Sequence, residues 1–366
     1  MIQWREGTVE RVRARWPGAT ELDVAVTGHD GGTIPSLAYT DLVGEPKPGD
    51  RVLLNVAALE LGLGTGGMAL VVAIPDALPP DPHQGPGHIV KARYTPLQTV
   101  VLGVDEQESP HHEALSEATG LEGMPVIVAD LHSAVPAILA GLREAAPQAR
   151  VAYVMTDGGA LPLAFSRTVA GLRDAGWLSG TVTVGQAFGG DLEAVNVHTG
   201  LLAAALVLRA DLAIVAQGPG NLGTDSPWGF SGVASGEAVN AISVLGGRAI
   251  ASLRVSEADE RARHRGISHH SLTAYGRVAM AAADLPVPLL GGDFGERVLE
   301  QARELVLQSA GRLRFHEVET RGLVQALASS PVRLSTMGRG LDQDEASFVA
   351  AAAAGRFAAT ALADSR

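Results

Sequence analysis

The chain has 366 residues, of which 46% are hydrophobic and 19% charged, and its formal net charge is −12. This length favours two domains over one, and the composition excludes a disordered or fibrous protein. Cysteine is absent, which excludes disulfides and thiolate catalysis, so any metal would need histidine and carboxylate ligands. The acidic balance, without a basic run that interleaves aromatics, argues against nucleic acid as a partner.

The N-terminal segment is charged throughout, and no apolar run reaches bilayer-spanning length. We therefore expect a cytoplasmic protein with no membrane partner. Over residues 1–75, short alternating apolar runs broken by Gly, Pro and Asp predict a small β-barrel or sandwich-like domain. The Pro- and Gly-rich stretch in residues 76–95 is typical of a linker or ordered loop.

Residues 96–366 alternate short β-rich runs with segments of helical spacing, which predicts a doubly wound, mostly parallel α/β domain. The predicted strands cover 99–104, 126–129, 152–155, 181–184, 212–216, 249–255, 287–290 and 333–335. Asp342 and Glu345 form a capping-box pattern before an Ala-rich final helix, which would cover the sheet or form a dimer seam. Ligands of such folds bind beyond the carboxyl ends of the strands, so polar residues directly after predicted strands are site candidates.

Two predicted strands are followed at once by carboxylates. Asp130 and His132 come after the strand 126–129, and Asp157 follows the strand 152–155. An Asp-x-His pair can offer two metal ligands, or a base with an orienting carboxylate. Because consecutive strands often lie side by side, we expect Asp157 near Asp130. The alternative is that both aspartates bond loop amides and His132 packs in the core.

The pattern Gly-x-Gly-x-x-Gly occurs twice, and neither occurrence has the strand–turn–helix context of a dinucleotide site. The first, at 62–67, leads into a strand-like run and predicts a hairpin or loop of the first domain. The second opens the glycine-rich loop 217–232, directly after a predicted strand. Long ordered loops in this position are often binding loops, and the alternative is a packing loop. The candidate ligand-binding residues of this loop are Gln217, Gly218, Gly220, Asn221, Gly223, Asp225 and Trp228.

Two adjacent histidines, His269 and His270, follow Ser268, a predicted helix N-cap and a further candidate ligand-binding residue. In a first helical turn the macrodipole disfavours imidazolium, and neutral imidazoles are good ligands and bases. Adjacent helical residues point about 100° apart, so we expect one ring to face the site and the other to orient it, rather than both to reach one metal. With His264 and two arginines beside it, the segment could instead bind an anion. A helix start with hydrogen-bonded histidines is the remaining interpretation.

Several phrases, among them LLNVAALELGLGTGG, GHIVKARYTPLQ, SPHHEA, PWGFSGV and HRGISHHSLTA, resemble those of a bacterial family catalogued as domain of unknown function 3866. The resemblance covers nearly the whole chain. It implies a bacterial protein with this arrangement, and it brings no activity, cofactor or catalytic residue with it.

Together these features predict a cytoplasmic hydrolase or transferase that acts on a small polar or anionic metabolite at the strand ends. Asp130, Asp157 and one of His132, His269 or His270 would supply acid–base or metal-ligand groups. The alternative, from another class, is a non-catalytic ligand-sensing or scaffold protein whose N-terminal β domain binds a partner. A homodimer through the Ala-rich helix is compatible with both. The residues alone specify neither a cofactor nor a metal.

Overall fold

The computed structural model describes residues 2–27, 32–64, 66–81 and 85–364. The chain divides into two compact units, one of Met1–Val101 with Ala164–Ala170 and one of Leu102–Leu163 with Gly171–Arg366. A short segment in the middle of the chain therefore belongs to the first unit, although it is distant from the rest of that unit in sequence.

The first unit is built on a closed five-stranded barrel. Its elements are β1 Trp4–Trp16, β2 Ala19–Val26, β3 Thr33–Tyr39, α1 Thr40–Val43, β4 Arg51–Asn55, α2 Ala57–Glu60, β5 Ala69–Ala73, β6 Ile89–Lys91 and β7 Thr99–Val101. The barrel order is β1-β2-β3-β5-β4, antiparallel throughout except for the parallel pair β3–β5, which is the connectivity of an OB-fold barrel. Along β2, Leu22 and Val24 are fully buried and alternate with half-buried residues. This period-2 burial is what the apolar alternation of the sequence predicts, and it confirms the N-terminal β-barrel.

The second unit is a doubly wound α/β domain, as predicted. Its elements before the site region are α3 His112–Ser116, β8 Pro125–Val128, α4 Val135–Ala145, β9 Val151–Thr156, β10 Gly180–Thr183, β11 Leu192–Glu193, α6 Val197–Leu206, β12 Leu212–Gln217 and α7 Ala234–Val244. Helix α5, Arg167–Asp174, begins in the segment assigned to the first unit and ends in the second. The remaining elements are β13 Arg248–Ala251, β14 Val255–Ser256, β15 Gly266–Ile267, α8 His269–Thr273, β16 Ala283–Pro288, α9 Gly292–Gln308, β17 Leu313–Val318, α10 Leu323–Ala328, β18 Ser335–Thr336, β19 Arg339–Gly340 and α11 Glu345–Asp364. Every residue of β8 and β12 is buried, as expected for strands covered on both faces.

The large sheet has eight parallel strands in the order β11-β10-β9-β12-β8-β13-β16-β17. The chain starts at β8, runs outward through β9, β10 and β11, and returns to insert β12 beside β8. It then continues on the other side through β13, β16 and β17. The winding therefore changes direction around β8, and such switch points are where loops separate and open a crevice for ligands.

Two predicted strands lie outside the large sheet. Residues 99–101 pair with β6 in the first unit, and residues 335–336 pair with β19 in a two-stranded hairpin. The sheet instead ends at β17, a strand that the sequence did not indicate. Polar and charged side chains such as Arg314 and Glu317 occupy the exposed positions of this edge strand and obscure its apolar period.

The final helix packs within the chain. It begins at Glu345, so Asp344 and not the predicted Asp342 precedes it. A Cβ atom at Gly141 of α4 would lie 1.9 Å from the carbonyl oxygen of Ala352, so the two helices touch through their backbones. The segment Glu345–Ala363 is long and apolar enough to cross a membrane, but 67% of it is buried inside the fold. This burial is typical of the core helix of a soluble protein.

Candidate functional site

Three buried polar side chains meet beyond the carboxyl ends of β8 and β13. Asp130 follows β8 and is 3% exposed, Arg254 follows β13, and His270 lies in the first turn of α8. Arg254 Nη1 lies 3.0 Å from His270 Nδ1 and 3.8 Å from Asp130 Oδ2. His270 Nδ1 lies 3.5 Å from the same Oδ2, which accepts no hydrogen bond from any described residue. A buried carboxylate oxygen without a hydrogen-bond donor is costly, which makes this atom a candidate ligand-binding or catalytic group.

His270 belongs to a cluster of three histidines. One ring nitrogen from each of His264, His269 and His270 lies within 4.8 Å of the others, an arrangement that could hold a metal ion. The rings of His269 and His270 are 4.4 Å apart between centroids. The expectation that two adjacent helical residues would not both reach one metal is therefore wrong. The rings extend well beyond the backbone, so side-chain rotation brings them together even where the Cα–Cβ bonds diverge.

Ser268, which directly follows β15, links two of these histidines. Ser268 caps α8 as predicted, because its Oγ accepts a hydrogen bond from the backbone N–H of His270. The same Oγ lies 2.7 Å from His264 Nδ1. Ser268 also donates its backbone N–H to the carbonyl of Arg254. One serine thus links two histidines of the cluster to the strand end that carries Arg254.

Phe230 supports the cluster from the glycine-rich loop. Its ring stacks on His270 with centroids 3.8 Å apart and planes 2° from parallel, and it meets His269 edge-on at 5.8 Å. Phe230 is 5% exposed. The loop therefore fixes the orientation of the histidine rings through one buried aromatic side chain.

The surroundings of the cluster favour neutral imidazoles. Burial, together with the charges of Arg254 and Arg261, lowers the pKa of His264 from 6.5 to about 3. Burial, with smaller effects of His270 and Arg263, lowers the pKa of His269 to about 4. Both rings are therefore uncharged at pH 7, the state in which imidazole accepts a proton or binds a metal.

The arginines around the cluster differ in how well their charges are compensated. Arg261 contacts Asp259 at 2.8 Å, Arg263 contacts Asp225 at 2.5 Å, and Arg339 contacts Asp344 at 3.1 Å. Arg254 faces Asp130 at the longer distance of 3.8 Å and is largely buried. Its guanidinium is thus the least compensated positive charge of the site.

The loop 217–232 is ordered by its own side chains. Gln217 Nε2 donates to the carbonyl of Asp130 and to Asn221 Oδ1, both at 2.8 Å. Asn221 Oδ1 also accepts from Ser231 Oγ and from the backbone N–H of Gly232. Gln217 therefore ties the loop to the residue that carries the candidate carboxylate.

The other predicted loop residues have separate positions. Gly218 follows β12, and its backbone N–H donates to the carbonyl of Thr156. Gly220 has a φ of +96°, and Gly223 forms an isolated antiparallel β-bridge with Phe230. Trp228 is 51% exposed and lies under the guanidinium of Arg277, 4.4 Å from its ring. None of these residues, within the described parts of the chain, contacts the histidine cluster except through Phe230 and the Asp225–Arg263 pair.

Two predicted residues do not join the cluster. β12 lies between β8 and β9, so the prediction that Asp157 neighbours Asp130 is wrong; two strand spacings, roughly 10 Å, separate their strands. Asp157 is exposed and accepts the backbone N–H of Gln186. His132 Nδ1 contacts the hydroxyl of the buried Tyr153 at 3.0 Å, and burial lowers the pKa of His132 to about 4.

Two small cavities lie beside Ala129, directly after β8. One of about 20 Å³ is lined by Asp130, Arg254 and residues of α11, and one of about 10 Å³ lies beside Gln217. Each has the size of one water molecule. His269 is the partly exposed member of the histidine cluster.

Sequence reasoning did not select Arg254 and gave His264 only a secondary role. The signal for Arg254 is an arginine inside the predicted strand 249–255, next to the carboxyl end of that strand. The importance of Arg254 for the site becomes clear only when β13 is known to lie beside β8. His264 lies in the connection between β14 and β15, and its ring centroid is 5.0 Å from that of His270.

A protein family described as "Protein of unknown function (DUF3866)" matches residues 35–355. Neither the curated proteins nor the solved structures contain a match to the chain. The family thus spans most of both structural units, and the chemistry has to be argued from the site.

Proposed function

The chain belongs to this DUF3866 family, and we propose that it is a hydrolase that acts on a small anionic metabolite with the help of a bound metal ion. The observation that carries the proposal is the convergence of Asp130, Arg254 and the three histidines at the switch point of a parallel sheet. Perturbed, buried titratable groups in this position are typical of catalytic sites.

The charge of Arg254 supports an anionic substrate. Buried guanidinium groups bind carboxylates and phosphates through paired N–H donors. Because Arg254 faces its carboxylate at 3.8 Å, it retains donors and charge for a ligand. The other arginines of the site are held by closer aspartates and contribute a positive field rather than direct contacts.

The available side chains favour water as the nucleophile. The chain has no cysteine. Covalent catalysis by a thiolate is therefore excluded. Neutral imidazoles and a metal ion are the groups that activate water in such a site.

The proposal is tested with purified protein and chromogenic esters. We expect p-nitrophenyl phosphate or a p-nitrophenyl carboxylic ester to be hydrolysed, and inorganic phosphate to inhibit competitively. His269→Ala and Arg254→Met should each lower kcat/KM at least about 100-fold, a loss typical of residues that act on the reacting groups. His198→Ala, which changes an exposed histidine of the same unit, is the matched control.

Two results would contradict the proposal. Unchanged hydrolysis in His269→Ala would move the chemistry elsewhere. Tight phosphate binding without turnover of any ester would instead favour the non-catalytic ligand-sensing class.

We also propose a bacterial, cytoplasmic location. The family resemblance supports the bacterial origin, and the burial of the long apolar helix Glu345–Ala363 supports a soluble protein. Recovery of the protein in the membrane fraction of lysed cells would contradict this location.

A further inference from the structure

We infer that His264, His269 and His270 bind a single Zn²⁺ ion, with Asp130 as the carboxylate that orients His270. The inference deepens the proposed function: the role of the ion in hydrolysis rests on that proposal, whereas the binding of the ion does not.

The hydrogen bonds of two rings identify the ligating nitrogens. Nδ1 of His264 is engaged by Ser268 Oγ at 2.7 Å, which leaves Nε2 for the metal. Nδ1 of His270 lies 3.0 Å from a guanidinium nitrogen of Arg254, a position that repels a cation. Nε2 is therefore the nitrogen that His270 offers. Fixing one ring nitrogen by a hydrogen bond while the other binds the ion is the usual arrangement of metal-bound histidine.

Asp130 supplies the carboxylate that such a histidine needs. When Nε2 of a neutral His270 binds a metal, the ring proton lies on Nδ1, which must then donate. Asp130 Oδ2 is 3.5 Å from this nitrogen, buried, and without a hydrogen bond from any described residue. The carboxylate–histidine–metal pattern accounts for this unsatisfied oxygen, because the Nδ1–H donor is present only in that tautomer.

The contact between Arg254 and His270 Nδ1 belongs to the other tautomer. A guanidinium can only donate, so Nδ1 must carry its lone pair when Arg254 bonds to it. Metal binding and this contact are mutually exclusive. Binding of the ion would therefore break the contact between Arg254 and the His270 ring. The guanidinium that is released is the group to which we assign binding of the anionic substrate.

The ligand chemistry selects the ion. Three imidazoles without a thiolate suit Zn²⁺ and Co²⁺ better than Mg²⁺ or Ca²⁺, which prefer oxygen ligands. Structural zinc sites are closed by four protein ligands, whereas catalytic sites keep the fourth position for water. A site of three histidines is thus of the catalytic kind.

The test is a titration of chelator-treated, dialysed full-length protein with Co²⁺, followed by visible absorption. We expect one Co²⁺ per chain with the intense visible bands of tetrahedral coordination, displaced by Zn²⁺. His264→Ala, His269→Ala and His270→Ala should abolish the bands, and His198→Ala should keep them. Asp130→Asn should weaken Co²⁺ binding about 10–100-fold, because it removes the orienting carboxylate.

Arg254→Met separates this tautomer switch from a merely structural role of Asp130 and His270. Removing the competing guanidinium should tighten Co²⁺ binding, whereas general loss of structure would weaken it. Circular dichroism checks the fold of each variant, and His269→Ala, at the partly exposed position, is the variant most tolerant of truncation. Absence of the bands in folded wild-type protein overturns the inference. Metal binding without hydrolysis, or hydrolysis that continues after the metal is removed, would overturn the proposed function and leave the inference standing.

Discussion

Replacing Asp284 by Asn should destabilise the second unit at pH 7 and have much less effect at pH 2. Asp284 lies in β16 with its side chain 1% exposed. Its two oxygens accept hydrogen bonds at 2.7 Å from Nε of Arg248 and Nε of Arg314, and His316 Nε2 lies 2.9 Å away. One buried carboxylate thus joins the three strands β13, β16 and β17 at the edge of the sheet.

The size of the effect follows from the pKa of this carboxyl. Burial alone would raise the pKa of Asp284, but hydrogen bonds from Arg314, Arg248 and His316 outweigh it and lower the pKa from 3.8 to about 2. The difference corresponds to about 2 kcal/mol of folding free energy. Because the folded pKa is below the unfolded one, this stabilisation is complete above about pH 4 and is lost as the pH falls toward 2. Because Arg248 and Arg314 are partly exposed, solvent screens their charges, and the stabilisation by Asp284 does not exceed this energy.

Urea unfolding at pH 7 and at pH 2, followed by tryptophan fluorescence and circular dichroism, measures the difference. Asp284→Asn should lower the free energy of unfolding by about 2 kcal/mol at pH 7, and the gap to wild type should close at the acid end. Asp76→Asn removes a solvent-exposed partner of Arg51 and should leave the unfolding midpoint unchanged. An equal loss at both pH values would refute the electrostatic argument, because packing alone would then explain it.

Other changes test the packing around the site. Gly355→Val should lower the melting temperature by at least several degrees in calorimetry, because a Cβ there would lie 1.9 Å from a carbonyl oxygen of α4; Gly64→Ala, where no described atom lies within 4 Å, should not. Tyr153→Phe should cost about 1–2 kcal/mol in urea unfolding, because its buried hydroxyl donates to the backbone carbonyls at the carboxyl end of β12. Phe230→Leu keeps an apolar side chain but removes the ring stacked on His270, and should weaken Co²⁺ binding more than it lowers the melting temperature.

The order of the strands limited what sequence could predict about the site. Apolar period and turn residues located β8, β9 and β12, and they placed Asp130 directly beyond a strand. The insertion of β12 between β8 and β9 is a tertiary event, however, and no local pattern records it. Asp157 was therefore assigned to Asp130 by sequence adjacency, although β13 is the strand that brings a partner to Asp130.

The histidine cluster shows the same limit at the level of side chains. Helical geometry correctly placed Ser268 as a cap, yet it could not predict that the rings of His269 and His270 converge. Their convergence depends on Phe230, which stacks on one ring and meets the other edge-on. His264 joins the two rings from the connection between β14 and β15. The contact with Phe230 is distant in sequence, so it becomes visible only in the folded chain.

The most direct test of the account is the metal content of untagged protein, purified without chelators or a metal-affinity column and measured by inductively coupled plasma mass spectrometry. The account predicts about one zinc per chain in wild type and in His198→Ala, and its loss in His269→Ala. Folded, metal-free wild-type protein grown with ample zinc would contradict it.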